Sequence, residues 1–204
     1  MRLYGSPTSP FVRKVIVTAH EGGLRDRIEV LFRTISPLTM DEEVNDLNPV
    51  GKIPVLATDD GQAILDSKFI CEYLDSRMDA DRKMLPEGRD RWSVLALQSL
   101  GDGIMDSGVL LRFDVTLKPP QYRWEGWYES QLLKITRTID HLESKVAEFA
   151  DRIDVGVISV ACALAYLDFR FRDSIDWRSA HPRLTAWFEG FRQRESMVAS
   201  EFRG

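Results

Sequence analysis

Leu3 and Tyr4 form a short apolar run closed by Gly5, and from Val12 the apolar positions change to helical spacing through Val15, Ile16, Ala19 and Leu24. The turn between them is Ser6-Pro7-Thr8-Ser9-Pro10. The Ser9 hydroxyl suits an amide of a first helical turn, and Pro10 suits the position whose missing N–H needs no partner. A strand over residues 2–5 followed by a helix from Pro10 to Gly22-Gly23 is therefore predicted. Ile28, Val30 and Phe32 alternate as in a half-buried strand, parallel to the first. Residues 36–48 are polar and acidic, with a short helix opening at Asp41-Glu42-Glu43. Ile53-Pro54 precedes Val55-Leu56-Ala57, and Asp59-Asp60-Gly61 turns that strand back into Ala63-Ile64-Leu65 as an antiparallel hairpin. Asp66-Ser67 then caps a helix that carries Phe69, Ile70, Tyr73 and Leu74 inward and ends near Arg77. The order is β-α-β-α-β-β-α.

Beyond this point no strand pattern occurs. Residues 79–88 are charged, contain Pro86 and Gly88, and break the periodicity, so they read as a connection between a first domain over 1–78 and an all-helical domain over 89–204. The second domain has long helices over 89 to about 113 and 122 to about 150, the latter carrying Leu132, Ile135, Ile139, Leu142, Val146 and Phe149 inward. An apolar helix over 156 to about 171 is its central buried element. A helix opened by His181-Pro182 and a closing one from Met197 to Phe202 complete the chain.

The net charge of −5 shows no basic footprint for nucleic acid, and no apolar run approaches a membrane span, so neither partner is expected. The first residues form a strand pattern rather than a leader, which makes the cytoplasm the expected location. Cys71 and Cys162 lie inside apolar helical patterns and read as buried thiols. His20, His141 and His181 stand apart from other ligand types at metal spacing, so no metal is expected. No glycine-rich loop suited to phosphate is present.

Taken in order, Ser9-Pro10-Phe11, Asn48-Pro49-Val50-Gly51-Lys52-Ile53-Pro54-Val55-Leu56, Asp66-Ser67 with Ile70 and Tyr73-Leu74, and Pro182-Leu184-Trp187 resemble the cytosolic glutathione transferases over the whole chain. The resemblance implies a thioredoxin-like first domain, a helical-bundle second domain, a homodimer and glutathione as co-substrate. It implies a cis bond before Pro54 that turns the backbone of Val55 outward to pair with the cysteinyl part of glutathione like an added strand, with Ile53 also among the glutathione-binding residues. It implies that Ser67 holds the γ-glutamyl carboxylate, that Asp66 meets the γ-glutamyl ammonium and that Lys52 approaches the glycyl carboxylate. Read without it, Asp66 and Ser67 are a helix cap and Lys52 a solvated turn residue.

Ser9 stands where some classes of that family carry a catalytic serine and others a cysteine. With no cysteine at Ser9 or Val12, thiol activation for attack on a small hydrophobic electrophile is favoured over disulfide exchange. Thr8 is the nearest competing hydroxyl, and Phe11 follows it toward a second-substrate or dimer site. Asp102 and Asp106 are one helical turn apart, with Gly103 between them allowing a close neighbour. They read as a solvated acidic face, a dimer contact, or a pair approaching the glutathione site. The alternatives to conjugation are a non-catalytic binding or regulatory protein of the same fold, and glutathione-dependent peroxide reduction or isomerisation. The family's usual capping box is replaced by Val157 and Val160, which leaves Asp154 to start that helix a turn sooner.

Overall fold

Leu3 and Tyr4 lie almost fully buried in the central strand β1 (Arg2–Gly5), and the first domain is layered around them. The structure is a computed structural model and describes residues 1–203. After β1 come α1 (Pro10–Glu21), β2 (Glu29–Phe32), α2 (Glu42–Leu47), β3 (Val55–Ala57), β4 (Ala63–Leu65) and α3 (Ser67–Ser76). The four strands form one sheet in the order β2-β1-β3-β4, with β1 and β2 parallel and the other neighbours antiparallel. This is the thioredoxin-like arrangement that the sequence predicts.

The register decides where a site can form. Leu31, Tyr4, Val55 and Leu65 stand in one row across the sheet. The end of β1, the start of β3 and the end of β4 therefore leave the sheet at the same edge. With strands about 4.8 Å apart, the row from Tyr4 to Leu65 is about 10 Å long. The Ser6–Ser9 turn, the Ile53-Pro54 segment and Asp66-Ser67 all emerge there.

The second unit, residues 92–194, holds nearly all of α4 (Asp90–Leu117), with α5 (Glu125–Lys145), α6 (Val155–Phe171) and α7 (Pro182–Phe191). Helix α6 is buried along most of its length because it is apolar on nearly every side. Asp154 caps it, accepting from Gly156 N at 2.9 Å and Val157 N at 3.0 Å, so the helix starts ahead of the position the capping box would have marked. Gly101 rather than Gly103 makes the close approach between α4 and α6. A Cβ on Gly101 would sit 2.6 Å from the Ser159 carbonyl carbon, whereas one on Gly103 meets nothing within 4 Å.

Three expectations need correction. Phe69 on α3 is 61% exposed, since Ile70, Cys71 and Leu74 fill the inward stripe of that helix. The closing residues from Glu195 pack with residues 1–91, not with the helical unit, because α8 (Glu195–Ala199) lies on α1. Among the described residues α4 is the one helix long and apolar enough to cross a membrane, which the sequence reading did not anticipate. Of the stretch meeting that test, 56% is buried, and the helix carries the buried Asp102 and Asp114, as a core helix can.

Candidate functional site

Ser9 has extended backbone angles, φ −83° and ψ 124°, and its N–H donates to the Ser6 carbonyl at 3.1 Å. Its Oγ accepts from Val12 N at 3.3 Å, so the cap uses a lone pair. The hydroxyl proton has no protein acceptor among the described residues. Thr8 is arranged differently. Its Oγ1 lies 3.2 Å from Ser6 Oγ, and its N–H donates to the same oxygen at 3.4 Å, so that hydroxyl belongs to the turn. Phe11 is half-buried in the first turn of α1.

The Ile53–Pro54 peptide is cis. Buried Asn48 shapes the loop before it, donating from Nδ2 to the Lys52 carbonyl at 2.8 Å and accepting from Val50 N at 3.1 Å. The Asn48 carbonyl also accepts from Gly51 N at 2.8 Å, and Gly51 has φ +68°, a conformation that favours glycine. Asn48 is the positioning residue that sequence reasoning passed over, and its place before Pro49 was the available signal.

Val55 does not present its backbone at the edge. Thr58 N donates to Gln62 O at 2.9 Å, so by antiparallel alternation Leu56 pairs with Ile64, and Val55 directs its amide to Tyr4 of β1. The exposed backbone groups are those of Ile53, whose N–H and C=O meet no protein partner among the described residues.

Asp66 has φ 66° and ψ 133°, the one non-glycine residue at positive φ among the described residues, and its Oδ1 accepts from Lys68 N at 2.9 Å. That backbone aims the start of α3 at the edge where α1 also starts. Ser67, only 3% exposed, holds a hydroxyl with no protein partner among the described residues. Lys52 is exposed. Two helix N-termini, both at the positive ends of their dipoles, thus open on one 10 Å row, which suits an extended ligand with separated negative groups.

Tyr4 is excluded as a competing donor. Its hydroxyl donates to Glu43 Oε1 at 2.7 Å, and Glu43 also pairs with Arg33 at 2.6 Å. Burial first, and Glu43 second, push the phenol above its ordinary range. The Tyr4 hydroxyl, followed by Arg33, holds the Glu43 carboxyl below its own range.

In the helical unit the two aspartates separate. Asp102 is buried and accepts from Ser159 Oγ at 2.6 Å, while Asp106 is exposed. One turn of α4 therefore places them in different environments, and Asp102 serves the contact between α4 and α6. Among the described residues no group of three or more metal-ligating side chains occurs.

Two family models match, the glutathione S-transferase N-terminal domain over residues 8–77 and its C-terminal domain over 125–190. The "Uncharacterized GST-like protein YibF" of Escherichia coli K12 is 35% identical, with 98% of each chain covered. The chain belongs to the glutathione S-transferase family. A glutathione transferase family member from Pseudomonas fluorescens Pf-5, solved with bound glutathione, superposes at a TM-score of 0.96 with 43% identity over 100% of this chain and 99% of that one. A second structure from that organism, with bound S-(propanoic acid)-glutathione, gives 0.91 and 42%, with both chains fully covered.

Proposed function

We propose that the protein is an enzyme that binds glutathione along this edge and presents its thiolate to a small hydrophobic electrophile. One observation carries the reading: Tyr4, Val55 and Leu65 share a row, so the three segments with unengaged polar groups leave the sheet together. Ile53 pairs with the cysteinyl backbone, a role better suited to it than to the ladder-bound Val55. Ser67 and the α3 amides receive the γ-glutamyl carboxylate, Asp66 faces its ammonium, and Lys52 approaches the glycyl carboxylate. Relatives solved with glutathione and with a glutathione conjugate bound support the choice of ligand.

The Ser9 hydroxyl donates to the sulfur, and the α1 dipole favours its negative charge. The serine itself never ionises. A free thiol titrates near about 8.5, and lowering this by roughly two units makes the thiolate the main form at neutral pH. Thiolate absorbance of the bound tripeptide is the test. A titration displaced downward is expected, and an unshifted one would sink the mechanism. Failure to bind glutathione at millimolar concentration by an intact fold would favour the regulatory alternative. Peroxide reduction and isomerisation would use the same thiolate, and an electrophile panel distinguishes them from conjugation. We also infer, on the family resemblance, a homodimer, and a cytoplasmic location supported by the buried thiols of Cys71 and Cys162.

A further inference from the structure

His181 stands at the N-cap of α7, yet its side chain caps nothing. Pro182 follows it and has no N–H, so the amides that need an acceptor are those of Arg183 and Leu184. Both are met from α5. Glu143 accepts from Arg183 N at 3.2 Å and from Leu184 N at 2.7 Å, and it also accepts from Arg183 Nε at 3.1 Å. Burial works to raise the Glu143 carboxyl, but the Leu184 amide, followed by Arg183, holds it below its ordinary range. Glu143 is therefore a charged cap from mildly acidic to basic pH.

One turn earlier on α5, Asp140 makes a contact of a different kind. The His181 ring is buried, and each of its nitrogens faces an oxygen that only accepts. Nδ1 lies 2.5 Å from the Trp177 carbonyl, and Nε2 lies 2.8 Å from Asp140 Oδ1. A neutral imidazole has one N–H and cannot donate to both, whereas an imidazolium can. When the ring loses a proton, the remaining N–H stays on the carbonyl and Nε2 turns a lone pair toward the carboxylate. The Asp140 side chain is 62% exposed against 7% for the ring, so it is the aspartate that can turn out into water. The other charged groups around this turn are already engaged. Arg178 is held by Asp168 and Glu189, Arg183 by Glu143, and Asp176 accepts from the Ser179 hydroxyl and from the amides of Arg178 and Ser179.

We propose that His181 and Asp140 form a proton-dependent latch between α7 and α5, closed when the imidazole carries two N–H groups and open when it carries one. Glu143 holds the same turn in both states, so opening loosens the start of α7 without detaching it. All of these residues lie within 92–194, and the inference does not depend on the glutathione reading.

Hydrogen exchange of the Leu184 and Thr185 amides in the full chain, at pH 5.5 and pH 8.5, tests it, since an ordinary histidine titrates at about 6.5. Leu184 N donates to Glu143, and Thr185 N donates to the His181 carbonyl at 2.9 Å, so both report on the first turn of α7. Corrected for intrinsic rates and referred to the α6 amides, protection should be roughly threefold to tenfold higher at pH 5.5. In Asp140→Asn the new amide can donate to a bare Nε2, so the ratio falls to about one. Glu143→Gln should lower protection at both pH values and keep the ratio. Nitrogen-15 spectra should show both nitrogens of the His181 ring protonated at pH 5.5. A neutral ring at that pH, a ratio near one in the unaltered protein, or an unchanged ratio in Asp140→Asn overturns the inference.

Discussion

A single hydroxyl at Ser9 has two tasks that make different demands. Its oxygen accepts from Val12 N, which any side-chain acceptor there would do, while its proton is left to donate toward a ligand. Ser9→Ala removes both. Stability should fall by about 1 kcal/mol, and the conjugation rate by roughly a hundredfold or more with glutathione affinity little changed. Loss of stability with an unaltered rate would leave Ser9 as a cap and shift attention to Thr8, even though that hydroxyl is engaged with Ser6. The network under the sheet makes a pH prediction. Because Tyr4 and then Arg33 hold the Glu43 carboxyl below its usual 4.5, the folded form binds that proton less readily than the unfolded chain. The resulting stability is present above pH 4.5 and is lost as pH falls through the folded value. Urea midpoints should therefore drop less between pH 7 and pH 3 in Glu43→Gln than in the unaltered protein, and an identical drop would refute the assignment. Ser9 was legible in the sequence through its cap position. Glu43 was not, because its partners Tyr4 and Arg33 are 39 and 10 residues away and meet it only through the fold.

At the scale of elements, the turn chemistry around Pro10, Pro54 and Asp66 was written locally, and those elements fall where sequence predicts them. Helix rotation was less legible, since it depends on what lies opposite. Phe69 has the spacing of an inward residue yet faces out, and Gly103 has the small size of a contact residue yet meets nothing. The two glycines of α4 therefore respond oppositely to the same change. Gly101→Ala would drive a methyl into the α6 backbone at Ser159 and Val160, where no side-chain rotation relieves it, and the expected cost is about 1–3 kcal/mol. Gly103→Ala places its methyl in open space and should raise stability by up to about 1 kcal/mol through helix propensity alone. Thermal midpoints of the two variants moving in the same direction would contradict this packing.

For the whole molecule, the order of elements distinguishes a sheet domain from a helical one, and the periodicity change near residue 78 made that division readable. What periodicity could not convey is the return of the chain end to its beginning, since a helical pattern at 195–199 fits either unit. The return depends on side chains far apart in sequence. Arg13 donates to the Met197 carbonyl, Ser196 donates to Glu21 at 2.5 Å, and Met197 is 1% exposed. Ending the chain after Arg194 would thus remove the carbonyl and the ring that Arg13 meets and strip apolar cover from α1. Burial of the methionine side chain alone is worth about 2 kcal/mol, so the sheet domain should lose at least that much. The helical unit, residues 92–194, contributes none of these partners, so its own protection should change little. Hydrogen exchange separates the two effects: faster exchange is expected in α1 of the truncated chain, with α6 unaltered. Arg203→Ala keeps every one of these anchors and should leave α1 protected. If α1 exchanged at the same rate in the truncated and full chains, the closing segment would be a passive tail rather than part of the first domain.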